Sequence, residues 1–332
     1  MQKKDVNIRY IAEKCGVSTA TVSRVLNNGN VAEKTRQKVL NALEQYGYFA
    51  EKEYSPKIKK VGVIMRINNR DYNTEVLYYV TEYFHQRGIQ VVASYTDKDY
   101  NRIPEALETL YDAGIAGMLF MTCPYQQIKD RLNLRIPHVW LDCNDSRSVT
   151  QEICCTQSDH YTSGQMAAIE LIKHDGRKPI MITGPECTHR TMDRNRGFTA
   201  EYEKRGIKLD EERFIYLPNF KDVFSESREM VRYLLTKNYD FDSIFAIGDW
   251  RALGAYSGVE SMGRKIPEDI KIIGFDGISL ASKSVLNITC IQQNVDQMAH
   301  NACAQLDALM KGEKVKQKHV IVPTGILTGQ TV

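Results

Sequence analysis

The chain has 332 residues, 42% hydrophobic and 26% charged, with a formal net charge of +3. That length exceeds one compact core and predicts two or three domains of an ordinary globular protein. No run of about 18 uncharged apolar residues occurs, so no membrane span is expected. The first residues, MQKKDVNIRY, lack the apolar segment of a signal peptide, so the protein is expected to stay in the cytoplasm. The eight cysteines show no C-x-x-C spacing and read as small apolar residues, not as disulfides or zinc ligands. No metal and no cofactor is expected. The charge is unevenly spread. Residues 1–60 hold twelve Lys and Arg against six Asp and Glu, 12 − 6 = +6, which leaves −3 for the remainder. A basic head on a mildly acidic body is the footprint of a polyanion partner confined to the head.

The stretch IRYIAEKCGVSTATVSRVLN, residues 8–27, predicts two short helices and a tight turn. Ile8, Ile11, Ala12 and Cys15 have the i, i+3, i+4, i+7 spacing of one buried face. Gly16 supplies the turn, and Ser18 is a suitable N-cap for a second helix whose Val22, Val25 and Leu26 face inward. Its outward face carries Thr19, Ala20, Thr21, Ser23, Arg24 and Asn27, small polar groups and one cation with no acid. Such a face suits a DNA major groove. On these residues alone, a fragment of a helical bundle is the competing reading.

The strings GVSTATVSRVLNN and KTRQKVLNALEQYGY resemble the DNA-binding domain of the LacI/GalR family of bacterial transcription regulators. The resemblance implies that Thr19 and Ala20 read bases. It implies that Ser18, Thr21, Ser23, Arg24 and Asn27 fix register on phosphates, with Asn7 joining them. A third helix with Val39, Leu40, Leu43 and Tyr46 inward is expected to end at Gly47. The head is placed at 1–48. The polar segment 49–60, FAEKEYSPKIKK after Tyr48, reads as a linker. It lacks the Ala-Arg-Ser-Leu pattern of the family's hinge helix, so it is read as a plain tether. Tyr54 or Ile58 acting as a minor-groove wedge is the alternative.

From Val61 the pattern alternates. Apolar runs at 61–65, 89–95, 117–121, 138–141, 180–183, 243–247 and 270–275 suit strands buried on both faces. Amphipathic helices are predicted near 74–87, 103–113, 161–174, 194–205, 223–237, 250–262 and 296–311, and late strands within 320–330. The fold class is therefore a small all-α helix-turn-helix head followed by α/β, two doubly wound parallel-sheet lobes in 61–332. The lobes are set at 61–158 plus 290–320, and 159–289 plus 321–332. The strings DHYTSGQMAAIELI, GRKPIMITGP, RNRGF, GDWRALGA and IPEDIKIIGFDGI resemble the family's effector domain, which is itself similar to periplasmic sugar-binding proteins.

In open parallel sheets, ligands lie beyond the carboxyl ends of the strands. The residues expected there are Asp71-Tyr72-Asn73, Asp142, Asp159, Asp249-Trp250 and Asp276, with Arg194 opening a helix. Acids, an amide, an arginine and rings suit a polyhydroxylated ligand. The resemblance further implies that Tyr72, Asn73, Arg194, Phe220 and Gln293 face the effector. Each acid could instead cap a helix, Asp159 above all. An enzyme is the competing class, but no G-x-x-x-x-G-K-[ST], Rossmann G-x-G-x-x-G or H-E-x-x-H motif occurs. A periplasmic receptor is a third class, opposed by the basic head. The expectation is a homodimeric, sequence-specific repressor. It binds double-stranded operator DNA and answers to a sugar or sugar phosphate. A phosphorylated protein co-regulator is the alternative signal, and no membrane is involved.

Overall fold

The computed structural model describes residues 7–26, 29–46, 59–66, 70–97, 100–184, 188–217, 222–277 and 286–332. The chain divides into two units, Met1–Ile58 and Lys59–Val332. The linker expectation, with Tyr54 and Ile58, falls outside the described residues apart from Lys59 and Lys60, and so does Gly47.

The head holds α1 (Ile8–Cys15), α2 (Thr19–Leu26) and α3 (Glu33–Gln45). The Asn7 side chain accepts the Tyr10 amide at 3.0 Å and starts α1. Gly16, at φ +60°, ends it. A side chain there would strain the turn. The Ser18 hydroxyl accepts the Thr21 amide at 3.1 Å and starts α2. The core is Ile11, Ala12, Cys15, Val22, Val25, Val39, Ala42 and Leu43. Leu40, expected inside, is 43% exposed. With Val39 inward, the i+3 and i+4 positions are Ala42 and Leu43, and Leu40 is turned about 100° away. Ile8 and Leu26 are only half-buried. The Arg36 guanidinium donates to the Gly29 carbonyl at 2.6 Å and ties α3 to the end of the turn after α2.

In the second unit the first lobe runs β1 (Lys60–Arg66), α4 (Arg70–His85), β2 (Gln90–Thr96), α5 (Ile103–Asp112), β3 (Gly117–Met121), α6 (Tyr125–Ile128), β4 (His138–Leu141), α7 (Arg147–Thr150) and β5 (Cys155–Ser158). The second lobe runs α8 (His160–Lys173), β6 (Pro179–Thr183), α9 (His189–Glu203), β7 (Phe214–Tyr216), α10 (Val223–Thr236), β8 (Ser243–Ala246), α11 (Asp249–Ser261), β9 (Lys271–Asp276) and β10 (Thr289–Gln292). The chain returns to the first lobe for α12 (Val295–Met310) and β11 (His319–Val322), and ends in the second with β12 (Gly325–Leu327).

Each lobe has a six-stranded sheet, ordered β11-β5-β4-β3-β1-β2 and β12-β10-β9-β8-β6-β7. All pairs are parallel except β10 with β12, which are antiparallel. Two expected boundaries shift. Residues 289–292 pair with β9 in the second sheet, and 319–322 pair with β5 in the first. The three crossings therefore fall just after Ser158, Gln293 and Val322. The short runs CTQS and FIY make β5 and β7, which no apolar periodicity announces.

Val61, Val63 and Met65 of β1 face a layer of α4 and α12 that includes Val76, Val80, Phe84, Met298 and Leu306. Ile64 faces the opposite layer with Leu107, Leu110 and Phe120. Burial on both faces explains the unbroken apolar run, since each such side chain contributes about 1.5–3 kcal/mol. Strand order reverses between β1 and β3 in the first sheet and between β6 and β8 in the second, which opens a crevice at each carboxyl edge.

Candidate functional site

In the head, Asn7, Ser18, Thr19, Ala20 and Arg24 are exposed, and Thr21 and Ser23 are half-buried. Asn7 and Ser18 are both helix caps, so their side-chain oxygens are already engaged. Thr21 shares a 2.9 Å hydrogen bond with Ser18. Arg24 forms no ion pair among the described residues. Asn27 lies outside them.

In the body, Asp142 follows β4 at φ +56° and Asp276 ends β9 at φ +103°. Both are buried non-glycine residues in a backbone region that L residues seldom adopt. Asp142 accepts from His160 Nε2 at 2.8 Å and from Arg190 Nη1. Arg190 Nε donates to Asn144 Oδ1 at 2.6 Å, and Asn144 Nδ2 donates to the Tyr100 hydroxyl and the Thr122 carbonyl, both at 2.7 Å. With its Nε2 proton on Asp142, His160 keeps Nδ1 as an acceptor for Arg194 Nε at 3.3 Å and Nη2 at 3.2 Å. The Arg194 guanidinium also lies 3.5 Å from the Phe275 ring centre. One chain of contacts thus runs from the first lobe, through Asp142 and His160, to Arg194 in the second.

Close backbone packing sets this geometry. A Cβ on Gly164 would lie 2.1 Å from the Arg194 carbonyl oxygen, and one on Gly197 would lie 2.0 Å from that of Tyr161. Only glycines let α8 and α9 approach so closely. Arg194, one turn before Gly197, is thereby pressed against His160.

Burial alone would raise the Asp142 carboxyl, but Arg190 and then His160 hold it well below the usual range. Burial lowers His160, and Asp142 only partly offsets this, so the imidazole is neutral at neutral pH. Burial pushes Arg194 down to about 10, opposed by Asp276. Burial, followed by the fields of Asp142 and Asp276, raises Tyr72 well above its usual value. The Tyr72 hydroxyl is buried with no hydrogen-bond partner among the described residues. An occupant of the cleft with a hydrogen-bonding group can satisfy it.

Gln293 joins the crossings: Ser158 Oγ donates to its Oε1 at 2.6 Å, and its Nε2 donates to Asp276 Oδ1 at 2.7 Å. At the rim, Trp250 Nε1 in the first turn of α11 donates to Asp71 Oδ2 in the first turn of α4 at 2.5 Å. Tyr72, Asp142, Arg194, Asp276 and Gln293 therefore lie in one cluster, with Trp250 at its rim.

Two expected residues bond to other protein groups. Asn73 donates to the Arg66 carbonyl at 2.6 Å and closes the end of β1. The Asp249 carboxylate turns inward and accepts the Cys290 thiol at 3.2 Å. Phe220 lies outside the described residues. Asp159 caps α8, accepting the Thr162 amide at 3.0 Å. Arg194 does not open its helix: α9 begins at His189, capped by Thr188.

Sequence reasoning missed His160, Arg190 and Arg251. Each is basic and sits in the first turn of a helix, where the macrodipole disfavours a cation. That local conflict is the signal that would have found them. Arg251 is 8% exposed, and its Nε and Nη2 have no hydrogen-bond partner among the described residues. Burial pushes it down to about 10, with Asp276 and Glu226 offsetting part of that. Among the described residues no three His, Cys, Asp or Glu side chains gather as metal ligands, and no helix is long and apolar enough to cross a membrane.

A helix-turn-helix head followed by two lobes that share a polar cleft defines a ligand-controlled DNA-binding transcription regulator. Residues 7–51 match the model for bacterial regulatory proteins of the lacI family, and residues 169–332 match that for a periplasmic binding protein-like domain. The chain belongs to the LacI/GalR family, whose members are regulators and not enzymes. It is 26% identical to the ribose operon repressor of Halalkalibacterium halodurans over 98% of this chain and 96% of that one. It is 28% identical to the transcriptional repressor PurR of Pasteurella multocida, over 95% and 94%. In fold it is similar to the lac repressor dimer bound to operator and the anti-inducer ONPF, with a TM-score of 0.74, 20% identity and 99% of each chain covered. It is also similar to the regulator CelR in complex with cellobiose, with a TM-score of 0.73, 22% identity, and 98% of this chain and all of that one covered.

Proposed function

We propose that the protein is a cytoplasmic, homodimeric repressor that releases or engages a two-fold operator in response to a polyhydroxylated effector bound between its lobes. The observation that carries the effector site is the unsatisfied Tyr72 hydroxyl in a cleft where Asp142, Arg194, Asp276 and Gln293 meet. Arg194 Nε and Nη2 are spent on His160, which leaves Nη1 for a ligand oxygen. Asp276 accepts hydroxyl protons, and Trp250 covers the rim. Two heads on one dimer match a two-fold-related site, with Thr19 and Ala20 reading bases and Ser18, Thr21, Ser23, Arg24, Asn27 and Asn7 on the backbone. An effector shifts operator affinity only if it binds the two lobe closures unequally. The relatives support this reading: both proteins named above are repressors by name, one of a ribose operon, and the complexes hold cellobiose and ONPF. A phosphorylated protein partner is the second reading. The regulator CcpA of Lactococcus lactis, at a TM-score of 0.75 and 21% identity, is among the similar folds. A buried orphan hydroxyl inside the cleft favours a small molecule.

The test is a gel-shift series with the purified dimer and DNA chosen by selection from a random pool, with and without a sugar panel. One ligand should change the amount of complex, and with Arg194→Ala the same ligand should no longer change it. A protein that selects no sequence, or a variant that responds as the parent does, would sink the respective half of the proposal.

A further inference from the structure

We infer that the ligand of this cleft carries an anionic group, a phosphate or a carboxylate, seated on the amino-terminal end of α11 against Arg251. The inference rests on the effector reading above and adds the chemical class of the ligand. Three observations place the group. Arg251 lies at the switch point of the second sheet, between the carboxyl ends of β6 and β8. A Cβ built on Gly184, just after β6, would come 3.7 Å from its Nη2, and one on Gly248, just after β8, would come 3.6 Å from its Nη1. Neither glycine has a side chain to fill the space in front of the guanidinium.

The guanidinium also forms no ion pair among the described residues. Two of its nitrogens are buried without an acceptor among the described residues. Arg190 and Arg194, by contrast, are held by Asp142, Asn144 and His160. Asp276 and Glu226 are near enough for their fields to be felt, but neither accepts its Nε or Nη2. Asp249, the acid in the same helical turn, is turned toward Cys290.

The helix itself is open at this end. Helices α8, α9, α10 and α12 are capped by Asp159, Thr188, Asp222 and Asn294. The N-cap of α11 is Gly248, with no side-chain cap. Uncapped amides and the positive end of the dipole meet an unpaired buried cation at one point. A buried cation without an ion pair is costly until an anion arrives. A neutral sugar satisfies hydrogen bonds but leaves the charge; a phosphate or carboxylate satisfies both.

The test is thermal melting of the full chain with inorganic phosphate, glucose, glucose 6-phosphate and gluconate as probes, in wild type and Arg251→Met. Anionic probes should raise Tm and half-saturate at roughly ten-fold lower concentration than glucose or better. Arg251→Met should lose that advantage and, without ligand, melt higher than the parent, because a buried unpaired charge is replaced by an apolar chain. The general stabilising effect of phosphate on proteins is common to both forms and cancels in the comparison. Protection by phosphate and glucose 6-phosphate assigns a phosphate, and protection by gluconate a carboxylate. Glucose protecting as well as its phosphate overturns the inference. So does anion protection retained in Arg251→Met, or no protection by any anion at tens of millimolar. The first of these leaves the effector-controlled repressor standing, whereas failure to select operator DNA would sink the repressor and leave the anion site intact.

Discussion

Trp250 and Asp71 join the two lobes at the mouth of the cleft through a hydrogen bond of 2.5 Å between the indole N–H and a carboxylate oxygen. The bond links the first turns of two helices, so lobe opening must stretch it. Trp250 is 37% exposed, whereas Trp140, the other of the two tryptophans, is 2% exposed and stacks on Phe120 at 4.9 Å. Emission changes on ligand binding should therefore come from Trp250. Titration with an effector should shift the emission of the wild type and of Trp140→Phe, and leave Trp250→Phe silent. Asp71→Asn should lower stability by about 1 kcal/mol, since the bond is near solvent. An effector that raises Tm without moving the emission would show that the rim is indifferent to closure.

Asp142 holds together groups that cannot stand alone. It is fully buried and receives His160 and Arg190. Asp142→Asn keeps the shape and tolerates the positive φ, yet leaves half-buried Arg190 without its counter-charge. The variant should lose on the order of 3 kcal/mol in urea unfolding, the scale for breaking a buried pair by removing one partner. A loss below about 1 kcal/mol, the range for exposed pairs, would mean that water enters the cluster.

Acid should weaken the body in two separate windows. His160 has a folded pKa below its ordinary 6.5, because burial and the neighbouring Arg194 outweigh Asp142. As pH falls, the unfolded chain takes up this proton first, so stability that is full above about pH 6.5 is lost progressively below it. His138, pushed down to about 4 by burial, acts in the same direction over 6.5 to 4. Asp142, whose pKa is depressed, adds its loss only below its ordinary 3.8. His160→Gln can donate to Asp142 and accept from Arg194 without titrating. Its Tm should fall less than that of wild type between pH 6.5 and 5, with the His138 share remaining. Parallel curves for the two proteins would remove His160 from the account.

The parts readable in the sequence were those with strong local periodicity. Unbroken apolar runs marked β1, β3, β6, β8 and β9, because those strands are covered on both faces. The acids at the ends of β4 and β9 led to Asp142 and Asp276. What periodicity could not show was direction. Asn73 and Asp249 sit at the right places in the chain, but one closes a strand and the other packs on Cys290. His160, Arg190 and Arg251 gave no periodic signal, because their positions are set by partners distant in sequence. Leu40 looked apolar enough for the head core, and helix phase turned it outward. The crossing at Gln293 was misplaced by a few residues because β10 is short and its partner, β12, comes from the end of the chain.

In the head, position along α2 separates two kinds of exposed residue. Thr19 and Ala20 are exposed at the start of α2, where a recognition helix meets base edges, and Arg24 is exposed toward its end. Thr19→Ala or Ala20→Ser should change which base pairs are preferred at one or two operator positions, by about 1–3 kcal/mol each. Arg24→Ala should weaken all sequences alike and lower the slope of log affinity against log salt by about 1. Ser18→Ala is different again. It removes the cap on the Thr21 amide as well as the phosphate contact proposed for Ser18, so it should cost about 1 kcal/mol in head stability, visible without DNA. Gel shifts at two salt concentrations across a set of operator variants separate the three cases. If Thr19, Ala20 and Arg24 substitutions all produced the same uniform loss, α2 would not be reading bases through its first turn.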